Sequence, residues 1–166
     1  MSRLLLPLLL LATPAAAETE RLSIVANGEV VGSVVGTTTG NRVTVDYRVD
    51  DNGRGPKHRE EITLGAGGMP TAWTIAGTSL MGGPVSERYR WANGRALWTS
   101  QADSGEAASA APGLYIVNDD SPWAAGVYVR AALAKGGSVA TLPGGRLTVT
   151  RLRTMRVGTT PVTVYR

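Results

Sequence analysis

The sequence has no cysteine and a single histidine, His58. Without cysteine the chain forms no disulfide and has no thiol nucleophile or thiolate metal site. One imidazole cannot build a centre in which several histidines hold one ion. The formal net charge is +4, but basic and acidic residues are interspersed, as in "HREE" and "SERYR". With no basic run to follow a phosphate backbone, we expect no nucleic-acid partner.

Long apolar runs are also missing. The longest, Leu4 to Ala12, is shorter than the about 20 residues that a membrane-spanning helix needs. It follows Arg3 and precedes the small residues Ala15, Ala16 and Ala17, so residues 1–17 are predicted to be a secretory signal peptide. The sequence therefore predicts an exported protein, periplasmic or secreted, with no membrane span and with residues 18–166 as a single β-rich domain.

No catalytic or nucleotide-binding motif occurs, and no G-x-x-x-x-G-K-[ST] loop is present. A carboxylate site for a hard cation has candidates only in Asp50–Asp51 and in "NDDSP" at residues 118–122. Neither cluster has the spacing of a calcium loop, and the second is simpler to interpret as a helix N-terminus. We therefore expect no catalytic residue, no cofactor and no metal ligand in this chain.

The chain is rich in glycine, with 21 residues, and many lie beside Asn or Gly at hairpin-type dipeptides such as Asn27-Gly28 and Asn52-Gly53. Between these turns apolar residues alternate with polar ones, as in "RVTVDYRVD". This period of two indicates strands with one buried face. The fold class predicted is all-β, a mainly antiparallel curved sheet or meander of roughly eight to ten strands.

One segment departs from this pattern. Ser121 and Pro122 are start signals and Gly136 is a stop signal, so a single helix is predicted at about residues 122–135. Its buried face is expected to carry Trp123, Val127, Ala131 and Ala134. Residues 101–113 are small and polar without periodicity, which predicts a surface loop. A bulge is expected near residue 151, where the alternation shifts.

Charged side chains crowd around one turn in "YRVDDNGRGPKHREEITL". In one interpretation this is a solvated hairpin, in which Asp50 or Asp51 meets Lys57 or Arg59 across the strands. In the other it is a docking or binding edge. The candidates for that edge are Asp50, Asn52, Arg54, Lys57, His58, Glu60 and, further along the chain, Trp91.

The stretches "NGRGPK", "PVSERYRW" and "LYIVNDDSPW" carry a family resemblance. On the basis of these stretches, most of residues 20–166 resembles the N-terminal β region of secreted bacterial amidohydrolases of the imidazolonepropionase-like group. The resemblance implies that a metal-dependent (β/α)₈ hydrolase domain follows this region. That family's H-x-H pair, further histidines, carboxylated lysine and aspartate have no counterparts here, so no catalytic residue is carried over.

The resemblance thus implies a fragment preceding a missing catalytic domain, and the strand-like end "TPVTVYR" is expected to reflect this. A divalent metal is expected only in that barrel, which would be the partner. The leading hypothesis is a non-catalytic accessory domain. The alternative is a free-standing periplasmic β-sheet binding module for an apolar or peptide-like ligand, with Trp73, Trp91 and Trp98 as lining candidates. A third hypothesis, an independent hydrolase, would need His58 to act with carboxylates.

Overall fold

The computed structural model describes residues 16–166, so nearly all of the predicted signal peptide lies outside the described residues. An open antiparallel sheet of eight strands dominates the fold, and its strands follow one another in chain order. The strands are β1 (Glu18–Ala26), β2 (Glu29–Thr39), β3 (Arg42–Val49), β4 (Lys57–Leu64), β5 (Pro70–Thr78), β6 (Pro84–Ala92), β7 (Arg95–Thr99) and β8 (Ser104–Ala108). This confirms the predicted all-β meander.

Tight turns made by Asn-Gly pairs connect several of these strands. Asn27, Asn52 and Asn93 have φ values of 52°, 54° and 51°, and the glycine after each also has a positive φ. Two successive residues with positive φ suit the twist of a hairpin, and Asn and Gly adopt that conformation at the lowest cost. The turn dipeptides therefore place the strand ends much as the sequence predicts.

The sheet has an inner face that packs and an outer face that is polar. Because side chains alternate along a strand, the inner residues of neighbouring strands form continuous rows. One such row joins Tyr47, His58, Gly77 and Val85 across β3 to β6. The fully buried inner side chains include Val34, Val45, Ile62, Trp73, Ile75 and Tyr89.

The rest of the chain follows the meander, and its residues Tyr115, Val117, Trp123 and Val127 pack on the inner face of the sheet. Its elements are β9 (Leu114–Tyr115), α1 (Trp123–Ala134), β10 (Ser138–Leu142), β11 (Arg146–Thr148), β12 (Arg151–Val157) and β13 (Thr160–Tyr165). Within the meander, a 3₁₀ turn at Ala66–Gly68 connects β4 to β5. Strand β10 pairs with β9 in parallel and with β11 antiparallel. Strands β12 and β13 form a separate two-stranded sheet.

Helix α1 lies where the sequence predicts it. The hydroxyl of Ser121 accepts a hydrogen bond from the backbone N–H of Trp123 at 3.3 Å, and Gly136 follows the helix with φ of 77°. Trp123 and Val127 are buried as expected, but Ala134 is exposed and Ala132 is buried in its place. A Cβ built on Gly36 would lie 2.3 Å from the Trp123 ring, so this strand glycine leaves the space that the indole fills.

The predicted loop at residues 101–113 is wrong in its middle part, because Ser104–Ala108 forms edge strand β8 against β7. The inward residues of β8 are Gly105 and Ala107, which are too small to give a visible apolar alternation. Gly105 is required there, since a Cβ would lie 2.5 Å from the Trp98 ring. The bulge expected near residue 151 is instead a break between β11 and β12, which belong to different sheets. A register shift between Arg151 and Arg153 in the β12–β13 pair follows this break.

Candidate functional site

The charged turn between β3 and β4 is an exposed hairpin. Asp50 Oδ1 accepts a hydrogen bond from the backbone N–H of Gly53 at 2.9 Å, and Asp50 Oδ2 lies 3.6 Å from Lys57 Nζ. Asn52 and Arg54 are exposed at its tip. An exposed pair of this kind contributes about 0.2–1 kcal/mol. These four candidates therefore lie together on a solvated surface.

The other three candidates lie elsewhere. His58 and Glu60 point to the inner face and are only 7% and 0% exposed, because they alternate with the outward residues Lys57 and Arg59. Trp91 lies at the far end of β6, where its Nε1 donates to the carbonyl of Ser109 at 3.0 Å. The candidates that are adjacent in sequence thus fall into two sets: exposed side chains of the hairpin, and the buried side chains of His58 and Glu60.

Glu60 binds the chain that leads into helix α1. Its Oε2 accepts a hydrogen bond from Trp73 Nε1 at 2.9 Å, and its Oε1 accepts one from the backbone N–H of Ser121 at 3.0 Å. Burial raises the pKa of this carboxyl, and the hydrogen bonds from Ser121 and Trp73 oppose that rise. Both oxygens are thus occupied by fixed donors within the interior.

Glu87, two strands away in β6, also binds the segment that leads into α1. It accepts hydrogen bonds from the Tyr115 hydroxyl at 2.7 Å and from the backbone N–H groups of Asn118 at 3.0 Å and Asp119 at 3.2 Å. Burial and the neighbouring Glu87 charge raise the pKa of Tyr115. Glu60 and Glu87 share one row of the inner face with Ile75 between them.

These two glutamates therefore form a clamp, here called the glutamate clamp, which fixes residues 115–121 over the sheet. A buried carboxyl with a raised pKa, such as that of Glu60, often marks a catalytic site. In this protein the acceptor oxygens of both carboxylates are taken up by backbone and side-chain donors. The clamp accordingly positions a segment of the chain, which also places Asp119 and Asp120 beside His58.

A small cleft, the His58 cleft, opens between that segment and the end of the sheet. Its volume is about 180 Å³. The His58 ring meets the Tyr47 ring edge-on, with centroids 5.0 Å apart. Burial lowers the pKa of His58 and the charge of Asp119 opposes this. The cleft is lined by Tyr47, Pro56, His58, Thr78, Ser79, Leu80, Val85, Asn118, Asp119 and Asp120.

An apolar groove of about 690 Å³ adjoins the His58 cleft. The two share Tyr47, Pro56 and Leu80. Leu80 and Met81, in the β5–β6 turn, are 60% and 84% exposed. The other lining residues are Ile24, Ala26, Val31, Val49, Asp51, Asn52 and Arg54.

The tryptophans proposed from the sequence do not line this groove. Trp73 and Trp98 belong to the core and are 0% and 8% exposed. Trp91 is half-buried at the other end of the sheet. The groove instead takes its aromatic wall from Tyr47, which the alternation in β3 places on the inner face.

No three His, Cys, Asp or Glu side chains within residues 16–166 are arranged to hold a metal ion. In the same residues, no helix is long and apolar enough to cross a membrane. Comparison of the chain with protein-family models, with curated proteins and with solved structures finds no match.

Proposed function

We propose that the chain is the accessory N-terminal β domain of an exported, amidohydrolase-type metal-dependent hydrolase and is not catalytic by itself. The catalytic (β/α)₈ domain would hold the divalent metal and carry out the hydrolysis. Support comes from where the family-like stretches lie. Glu87 of "PVSERYRW" binds the backbone of Asn118 and Asp119 in "LYIVNDDSPW", so two of these stretches form one structural unit.

The observation that carries this proposal is the hairpin formed by β12 and β13. Every residue of β12 is exposed. One face of the hairpin bears Met155 opposite Val162, with Val157 and Val164 on either side. Arg153 opposite Val164 and Thr160 opposite Val157 form its polar rim. Met155 is 40%, Val157 60% and Val162 36% exposed. A two-stranded hairpin is marginally stable by itself, and an exposed apolar face is typical of a protein contact. We assign this face to the partner domain.

The hairpin face can be tested on the purified mature chain, residues 18–166, which leaves out the apolar run of the predicted signal peptide. Without its partner, the wild-type protein is expected to self-associate as concentration rises, because burial of these side chains is favourable. Met155→Ser with Val162→Ser, which alters one cross-strand pair, is expected to give a monomer. Analytical ultracentrifugation measures both.

Thr154→Ser with Thr163→Ser is the matched control, since this pair is also directly cross-strand and lies on the opposite face. It should self-associate like the wild type. A wild-type protein that stays monomeric at all concentrations and unfolds in a single transition would count against the assignment.

A second candidate function rests on the apolar groove. Its volume of about 690 Å³ falls in the range of small-molecule sites. This favours the alternative in which the chain is a free-standing periplasmic binding module for an apolar or peptide-like ligand. Binding of an uncharged long-chain alcohol, measured by calorimetry, would test that candidate without reference to any partner domain.

A further inference from the structure

The His58 cleft carries uncompensated negative charge. Asp119 and Asp120 line it, and no Lys or Arg of the described residues 16–166 does. Neither carboxylate is among the ion pairs formed within residues 16–166, which involve Lys57, Arg59 and Arg95. A third acid, Glu87, lies behind them and accepts from the Asp119 backbone at 3.2 Å. The local charge is therefore opposite in sign to the net +4 of the chain.

His58 provides an independent sign of a ligand. Its side chain is 7% exposed, it forms part of the cleft wall, and its Nδ1 has no hydrogen-bond partner among the described residues. Buried polar atoms normally have a partner, and an exception calls for an explanation such as a missing bound group. A neutral imidazole offers one donor and one acceptor, so it can bind a ligand beside the two carboxylates.

The cleft and the apolar groove lie side by side, because Tyr47, Pro56 and Leu80 line both. A ligand that extends past these shared residues would contact both cavities. We infer that the two cavities together bind an amphiphile with a cationic head, such as a primary ammonium group, in the His58 cleft and an apolar chain in the groove. This inference rests on the second candidate function and specifies the chemistry of its ligand.

The volume and polarity of each cavity suit the part of the amphiphile assigned to it. A volume of about 180 Å³ with two carboxylates suits a compact ammonium, which donates three hydrogen bonds. Charge-assisted hydrogen bonds of this type are stronger than neutral ones. The groove offers Ile24, Val49 and Met81 to an alkyl chain. An anionic head in the cleft would instead meet Asp119 and Asp120 and be repelled. Arg54 lines the groove and not the cleft, and Asp51 lines the groove with it.

The test compares three probes of equal alkyl length by calorimetry on the mature chain, residues 18–166: dodecylammonium, dodecanol and dodecanoate. Each probe is kept below its micelle concentration or, for dodecanol, its solubility limit. Dodecylammonium is expected to bind about tenfold more tightly than dodecanol, and dodecanoate more weakly than either. Because the whole chain is positive, non-specific attraction would favour dodecanoate, so the predicted order reports the cleft itself.

Asp119→Asn with Asp120→Asn is expected to abolish the preference for dodecylammonium while dodecanol still binds. Asp46→Asn, on the outer face beside Arg59, should keep the preference. Since His58 is the only histidine, its imidazole NMR signals are unambiguous, and dodecylammonium should shift them in the wild-type protein. Cooperative unfolding of each variant shows that it is folded.

The outcomes separate the inference from the function on which it rests. If dodecanol binds and dodecylammonium binds no more tightly, the groove is an apolar site and the cationic ligand is wrong. If none of the probes binds, both are wrong. If the double variant keeps the wild-type preference, the cation does not bind at Asp119 and Asp120, and the inference fails.

Discussion

Replacing Glu87 with alanine is expected to lower the free energy of unfolding by about 3–5 kcal/mol. The Tyr115 hydroxyl and the backbone N–H groups of Asn118 and Asp119 would all lose their charged acceptor. Each buried donor left without a partner costs about 1–3 kcal/mol, and some of that cost is recovered if water enters. Urea denaturation measures the loss, and amide hydrogen exchange at Asn118 should accelerate.

Glu106→Ala is the matched control for this substitution. Glu106 lies on the exposed side of β8 and pairs with Arg95 at 2.6 Å. Loss of an exposed ion pair should cost at most about 1 kcal/mol. If Glu87→Ala costs no more than Glu106→Ala, then the Glu87 half of the glutamate clamp does not hold residues 115–121 in place.

Replacing Glu60 with alanine is expected to cost about 3 kcal/mol. Trp73 Nε1 and the backbone N–H of Ser121 lose their acceptors at a position that is 0% exposed. Glu60→Gln should cost less, because the amide keeps one acceptor oxygen for one of the two donors. Urea denaturation and amide exchange at Ser121 measure these effects.

The neighbouring substitution Glu61→Ala controls for the loss of a charge in β4. Glu61 is exposed and lies 3.6 Å from Arg59 Nε, so a change of less than about 1 kcal/mol is expected. Equal losses for Glu60→Ala and Glu61→Ala would contradict the role assigned to Glu60.

Alternation within a strand was sufficient to predict most of the sheet. In β3 the inward positions Val43, Val45 and Val49 are all buried. In β6 the same alternation is found, with Glu87 and Tyr89 both buried on one face. The alternation did not reveal β8, because its inward residues, Gly105 and Ala107, are too small to stand out as apolar. Gly105 is small because the Trp98 ring fills the space that a Cβ would need.

The partners of the two buried glutamates could not be predicted in this way. Tyr115 is 28 positions from Glu87, and Ser121 is 61 positions from Glu60. Local periodicity determines which side of the sheet a residue faces, but not which distant segment packs on that side. The His58 cleft was missed for the same reason, since Asp119 reaches His58 only after α1 and its entry segment pack onto the sheet.

If the chain is an accessory domain, its native assembly contains a catalytic barrel. Isolated from its own cells under native conditions, with an antibody to the β domain, the material should contain a (β/α)₈ polypeptide that bears an H-x-H pair, covalently joined or tightly bound. It should hydrolyse amide bonds only with a divalent metal present. If the two are separate chains, Met155→Ser with Val162→Ser should release the barrel and Thr154→Ser with Thr163→Ser should not.

Intact-mass and peptide-sequencing mass spectrometry of this native material is the most direct measurement. We expect the β domain and the barrel in a single species. A monomer containing only the β domain, with no such polypeptide and no metal-dependent hydrolysis, would overturn the accessory-domain proposal and leave the binding module as the function to pursue.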